Sequence, residues 1–193
     1  ALHLNKDLMV IDFTLDDDFD KRYQQHIACM SGLTYQQITT ATTLTDDQIK
    51  AKKRADDTMD QWIQEDRIRF YEPIEEVYNN QGKLVDVNYR KLSNILSAIT
   101  AARKSYPLRK IFVTIDAWNN VQTEIPTGNS SELNSINEQL AKFQATVKKL
   151  NVMVLASAHL RKKDTSSSAV ELTLDDIKGT SNLGYDNLWA GVV

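Results

Sequence analysis

The sequence predicts an α/β fold in which a mainly parallel sheet carries helices on both faces. Three observations point that way. Residues 8–13, 111–116 and 152–157 are short, nearly continuous apolar runs, the composition of strands buried on both faces. Between them, apolar residues recur at steps of three and four, the period of helices with one buried stripe. Strand and helix signals alternate along the chain, and parallel strands need such crossovers. In sheets of this kind ligands bind beyond the carboxyl ends of the strands.

The elements follow in order. Leu8-Met9-Val10-Ile11-Asp12-Phe13 is the first strand. Thr14 to Asp18 supply capping residues and acids, and Phe19, Tyr23, Ile27 and Met30 mark a helix that ends at Ser31-Gly32. The acids lie at the positive end of its dipole. A Thr-rich stretch then leads to Thr45-Asp46-Asp47-Gln48, a capping-box signature. Ile49, Ala55, Met59, Trp62 and Ile63 form the patchy apolar face of the next helix, with Lys50, Lys52, Lys53 and Arg54 on its solvated outer side. Arg67-Ile68-Arg69-Phe70-Tyr71 predicts a strand, and Asn79-Asn80-Gln81-Gly82 a turn. Tyr89, Leu92, Ile95, Leu96 and Ile99 keep a helical period up to Tyr106-Pro107, where proline ends the helix. The strand Ile111-Phe112-Val113-Thr114-Ile115-Asp116 closes on a carboxylate. A polar loop from Asn119 to Ser131, containing Pro126 and Gly128, reads as exposed and mobile. Leu133, Ile136, Leu140, Phe143, Val147 and Leu150 define the cleanest amphipathic helix, and a buried strand over 152–157 follows at once. Beyond it come a Ser-rich loop at 165–169, a short helix within 172–183 and a terminal apolar run, 188–193, suited to a buried strand.

With 193 residues, 41% of them hydrophobic, 25% charged, and only 6 Gly and 3 Pro, the chain has the composition of one globular domain rather than a disordered or collagen-like one. Its single cysteine, Cys29, excludes an internal disulfide framework and multi-cysteine metal sites, which fits a reducing cytoplasm. No apolar run approaches the roughly 18–20 residues of a membrane span. A net charge of −3 argues against a broad basic coat for nucleic acid but leaves local basic loops open. Both ends read as cut, so the chain is expected to be a piece of a larger module.

Polar residues that follow strands form a candidate set: Asp16 after the first, Asp116 at the end of the strand at 111–116, and His159 after the strand at 152–157. An apolar strand ending in Asp is the Walker B arrangement, whose carboxylate holds a water of a Mg²⁺ shell beside a nucleotide phosphate. The bland alternative for Asp116 is a helix cap. Asp16 could orient or deprotonate an attacking water, or serve only the helix dipole. His159 could donate a hydrogen bond to a γ-phosphate, or be an ordinary satisfied polar residue. His3 and His26 show no partner spacing, Cys29 is expected to pack as a small apolar residue, and Ser157 lacks the Gly-x-Ser-x-Gly turn of a hydrolase nucleophile.

Phe13-Thr14-Leu15-Asp16, the strand ending at Asp116, Ala156-Ser157-Ala158-His159-Leu160-Arg161-Lys162, and Leu174-Asp175-Asp176-Ile177-Lys178-Gly179-Thr180-Ser181 occur in an order that resembles the RecA-like motor domain of DnaB-type replicative helicases. The His-Leu-Arg-Lys and Asp-Ile-Lys-Gly-Thr-Ser forms look closest to the phage primase-helicase branch. The resemblance implies a RecA-like P-loop NTPase core that uses ATP and Mg²⁺. It further implies a homo-oligomeric, hexameric ring on single-stranded DNA, away from any membrane, in the cytoplasm of a bacterial cell, with a phage or prophage as the alternative source of the gene. Residue by residue it makes Asp116 the Walker B aspartate and places Asp16 where the family has a catalytic glutamate, a departure in side-chain length. It makes His159 a γ-phosphate sensor and sets Lys162, Lys163, Lys178, Gly179 and Thr180 in DNA-contacting loops. No Gly-x-x-x-x-Gly-Lys-Ser/Thr pattern occurs in the chain. The resemblance therefore implies a single partial domain, 1–193, lacking the P-loop strand and helix, with the arginine finger beyond Val193. Alone it is expected neither to bind ATP tightly nor to hydrolyse it. A non-hydrolysing RecA-like module for DNA binding or assembly is the competing reading.

Overall fold

A computed structural model of the protein describes residues 2–3, 5–40, 43–122 and 132–158, without the side chains of 132–137. Four parallel strands form the main sheet in the order β2-β1-β5-β6: β1 is Leu8–Thr14, β2 Ile68–Tyr71, β5 Lys110–Asp116 and β6 Val152–Ala156. Helices α1 (Phe19–Ser31) and α3 (Asp46–Gln64) connect β1 to β2, α4 (Leu92–Ser105) leads into β5, and α5 (Glu132–Lys149) into β6. The mainly parallel α/β prediction holds.

The pleat divides β1 between two cores. Met9, Ile11, Phe13 and Leu15 are fully buried with Ile111, Val113 and Ile115 of β5, Ile95 and Ile99 of α4, and Phe143 of α5. Burying each such side chain contributes roughly 1.5–3 kcal/mol, so this layer dominates the fold's stability. On the other face Leu8 and Val10 meet a second core of Ile27 from α1 and Ala55, Met59 and Trp62 from α3. A helix pair therefore covers each face of β1, as its near-continuous apolar composition requires.

Helix ends obey local chemistry. Asp18 caps α1 by accepting the Lys21 N–H at 2.8 Å, and Gly32 ends the helix at φ 73°, a left-handed position that suits glycine. Thr45 and Gln48 form the expected capping box of α3. On the outer side of α3, Lys52 pairs with Asp56 at 2.8 Å and Lys50 with Asp47 at 4.0 Å, the solvated face that its charge pattern implies.

Several expectations are corrected. Cys29 is exposed, not packed, because Ile27 and Ala28 are the residues that α1 turns inward. The periodic segment at Tyr89 is not yet helical: α4 starts at Leu92, and the Tyr89 N–H donates to the Pro73 carbonyl at 2.8 Å. The strand at 152–156 is only partly buried, with Met153 and Leu155 exposed, since among the described residues α1 and α3 cover β1 and β2 but do not reach β6. Two elements were not anticipated. A short helix, α2 (Tyr35–Thr39), lies in the Thr-rich stretch, and an antiparallel hairpin of β3 (Ile74–Tyr78) and β4 (Leu84–Asn88) flanks the turn at Asn79–Gly82. The loop from Asn119 begins with a 3₁₀ turn at Trp118–Asn120. Residues 123–131 and everything expected beyond residue 158, including the Ser-rich loop, the short helix and the terminal strand, lie outside the described residues.

Candidate active site at the carboxyl edge of the sheet

Because the odd residues of β1 enter the core under α4 and α5, Asp12 and Thr14 must face α1. β5 runs in parallel register, with Asp12 opposite Thr114 and Thr14 opposite Asp116. Its own core residues leave Thr114 and Asp116 on that same side. Two adjacent strands thereby gather four polar side chains beside α1.

Helix α1 is fixed over them by its first turn, where Glu72, just past β2, accepts the Phe19 N–H at 2.8 Å. Arg22, Gln25 and His26, spaced three and four apart, then share the face that meets the strand ends. Arg22 Nε donates to Asp12 Oδ2 at 2.9 Å and its Nη2 to Oδ1 at 3.4 Å, while Nη1 donates to Asp116 Oδ2 at 3.2 Å and to Gln25 Oε1 at 3.2 Å. His26 Nε2 lies 3.2 Å from Asp12 Oδ2, and the Thr114 hydroxyl donates to Asp12 Oδ1 at 2.5 Å. The Ser157 hydroxyl donates to Asp116 Oδ1. His26, which showed no partner spacing in the sequence, thus finds its partner on a strand.

Asp12 is 1% exposed, and a buried charge survives only when paired and hydrogen-bonded. Burial pushes its pKa up, but hydrogen bonds from His26, Arg22 and Thr114 outweigh that and hold it below the ordinary aspartate value of 3.8. A depressed carboxyl contributes stability that is present above its unfolded pKa and lost as pH falls through the lower folded one. Acid unfolding followed by circular dichroism should show stability declining below about pH 4. Asp12→Asn should flatten that limb. Asp66, lowered by the Tyr106 hydroxyl and by Arg69, contributes separately at the opposite edge of the sheet, so the limb should not vanish.

The two predicted aspartates are joined through the backbone. The Asp116 carbonyl accepts the Leu15 N–H at 2.6 Å and the Asp16 N–H at 3.1 Å, stitching the loop after β1 to the end of β5. The Asp16 carboxylate is exposed and accepts from Asn120 Nδ2 at 2.6 Å. The end of β6 arrives beside them: the Ser157 N–H donates to the Ile115 carbonyl at 3.0 Å, and the Ser157 carbonyl accepts the Trp118 N–H at 2.8 Å. His159, two residues further on, lies outside the described residues, as do Lys162, Lys163, Lys178, Gly179 and Thr180. Sequence reasoning missed Asp12, Arg22 and Asn120. A detectable signal was an Asp inside a strand read as buried on both faces, followed by Arg and His at helical spacing.

The donor set fits a cation held through water. Among the described residues no cluster of three His, Cys, Asp or Glu offers a direct cage. Asp116 is instead a single ionisable carboxylate, its side chain 35% exposed, at a strand end. Mg²⁺ keeps most of its waters and asks of the protein only one or two carboxylates beside substrate phosphates. Nothing in the chain supplies the glycine loop that would cradle those phosphates. A shallow hollow of about 270 Å³ borders β2, lined in part by Phe19, Ile63, Ile68 and Phe70; it includes none of these carboxylates and sits two strands from β5.

A parallel sheet covered on both faces, with aspartates at the ends of adjacent strands, defines the class as a mainly parallel α/β fold. Among solved structures the chain is similar to a DnaB-like replicative helicase, described together with its interactions with primase, with a TM-score of 0.66 and 15% identity. That match covers 90% of this chain and 37% of the other. It is also similar to the ATPase domain of a phage helicase, with a TM-score of 0.70 and 16% identity over 94% of this chain and 57% of that one. The likeness is one of fold, that of replicative-helicase ATPase domains. The chain spans between about a third and somewhat over half of these neighbours' length. No protein-family profile and no curated protein sequence matches it.

Proposed function

We propose that residues 1–193 form most of one RecA-like motor domain of an ATP-dependent replicative DNA helicase, which translocates on single-stranded DNA and unwinds duplex. The observation that carries this reading is the meeting of Asp16 and Asp116 at the carboxyl edge of two adjacent strands in a helicase-ATPase fold. In it Asp116 would hold a hydrated Mg²⁺ ion, and Asp16, steadied by the Asn120 amide, would orient the attacking water. Bound beside a nucleotide, the cation supplies charge neutralisation on the transferring phosphoryl group. His159 senses the γ-phosphate. The working form is a homo-oligomeric, hexameric ring in a bacterial cytoplasm.

Lys162, Lys163, Lys178, Gly179 and Thr180 are its DNA contacts, concentrated at the centre of the ring, which lets a chain of net charge −3 grip a polyanion. Lys178→Ala should weaken single-strand binding by the intact protein across all sequences and reduce the slope of log affinity against log salt by about 0.7. Fluorescence anisotropy at several salt concentrations measures both. An unchanged slope removes Lys178 from the DNA path.

A second reading, a non-hydrolysing module for DNA binding or assembly, draws on the missing phosphate-loop pattern and on Asp16 being shorter than glutamate. Turnover separates the two. Mg²⁺-dependent ATP hydrolysis by the intact protein, stimulated by single-stranded DNA, supports the motor; DNA binding with no turnover supports the module.

A further inference from the structure

We infer that Arg22, anchored by Asp12, is a positioning residue for Asp116: it fixes the direction in which that carboxylate meets a hydrated cation. The inference rests on the proposed role of Asp116 and adds two residues to it.

Asp12 is 1% exposed, so it can make contact with a ligand only through the groups that it holds. It takes two donors of the Arg22 guanidinium, at 2.9 and 3.4 Å, which leaves Nη1 aimed at Asp116 Oδ2 at 3.2 Å. His26 and Thr114 occupy the remaining positions on Asp12 and keep that anchor from turning. On Asp116 the second oxygen is held by the Ser157 hydroxyl. A carboxylate pinned at both oxygens presents its free lone pairs in one direction. Arginine is the side chain suited to this task, since its planar, permanently charged fork offers two acids donors in fixed directions, whereas a lysine ammonium is a point charge on a flexible stem.

Two opposing effects decide the sign. Arg22 competes with a cation for Asp116, but one partly exposed ion pair changes affinity by about fivefold at most. Groups that orient a metal-binding side chain matter more, and losing one costs about 10–100-fold in metal affinity or activity. Orientation wins, so removing Arg22 should weaken cation binding.

The test uses the intact protein and a fluorescent, non-hydrolysable ATP analogue, titrated with Mg²⁺ and compared with EDTA. Arg22→Gln should raise the Mg²⁺ midpoint of analogue binding about tenfold or more and leave affinity in EDTA unchanged. Arg22→Lys should fall between Arg22→Gln and wild type. Loss of Arg22 also exposes the unpaired Asp12 charge to a folding penalty, so the Asp12→Asn/Arg22→Gln double variant is the second arm. It removes that buried charge yet should keep the raised midpoint, which a purely structural role would not predict. Asp116→Asn calibrates the assay. If it leaves the Mg²⁺ dependence intact, the reading of Asp116 fails and the inference falls with it. If Asp116→Asn abolishes the dependence while the double variant binds Mg²⁺ as wild type does, or more tightly, the inference alone is overturned.

Discussion

Asp116→Asn in the intact protein is expected to lower Mg²⁺-dependent ATP turnover by about 10²–10³-fold, because charge stabilisation through a held cation is worth several kcal/mol and each 1.4 kcal/mol is tenfold in rate. Nucleotide affinity in EDTA should stay near wild type. The fold should hardly respond, since the side chain is 35% exposed and its ion pair with Arg22 is worth about 0–1 kcal/mol. The Asp116 carbonyl, which ties down Leu15 and Asp16, is untouched by the substitution. Steady-state phosphate release measures the outcome. Turnover above about a tenth of wild type corresponds to a loss under 1.4 kcal/mol, too small for the residue that holds the hydrated cation, and would remove Asp116 from that role.

Arg22→Gln carries the largest expected cost in stability. Breaking a buried ion pair from one side leaves the other charge uncompensated, at about 3–5 kcal/mol. Asp12 is 2% exposed at its side chain and Arg22 20%, so the geometry is that of a pair withdrawn from water. His26 and Thr114 still donate to Asp12 in the variant and place the cost at the lower end, about 3 kcal/mol. In a chain of 193 residues that lowers the melting temperature by roughly 6–12 °C. Adding Asp12→Asn removes the stranded charge and should recover most of the loss, because residues in one network are not additive. If single and double variants melt alike, the Asp12 charge is not what the fold is protecting.

The helices and strands that read clearly in the sequence are those whose composition alone requires burial. Residues 8–13 and 111–116 had to be internal strands, and Leu140, Phe143 and Val147 had to form a stripe. The hairpin was hidden because its alternating faces do not sort by polarity: apolar Ile74, Tyr78 and Leu84 are exposed, Glu75 takes a half-buried place, and no residue of either strand is fully buried. Only its turn was legible. The weak hydrophobic signal at Tyr89 was real, but it belonged to a turn packing on Phe13 and Tyr71 rather than to a helix.

Asp16 and Asp116 could be found because their chemistry follows from place along the chain: each comes just after an apolar run, and runs of that kind end at a common edge of a parallel sheet. By itself, the sequence determined the alternating α/β order, the capped helix ends and those two carboxylates, since each depends on neighbours within a few positions. Only the tertiary structure decided that Asp12 is a buried anion, that Arg22 joins it to Asp116, and that Ser157 closes the group from β6. Those contacts bridge residues up to 94 positions apart, and their existence depends on strand register and on the angle at which α1 crosses the sheet. Local periodicity encodes which face a residue takes; it does not encode which distant charge will stand opposite.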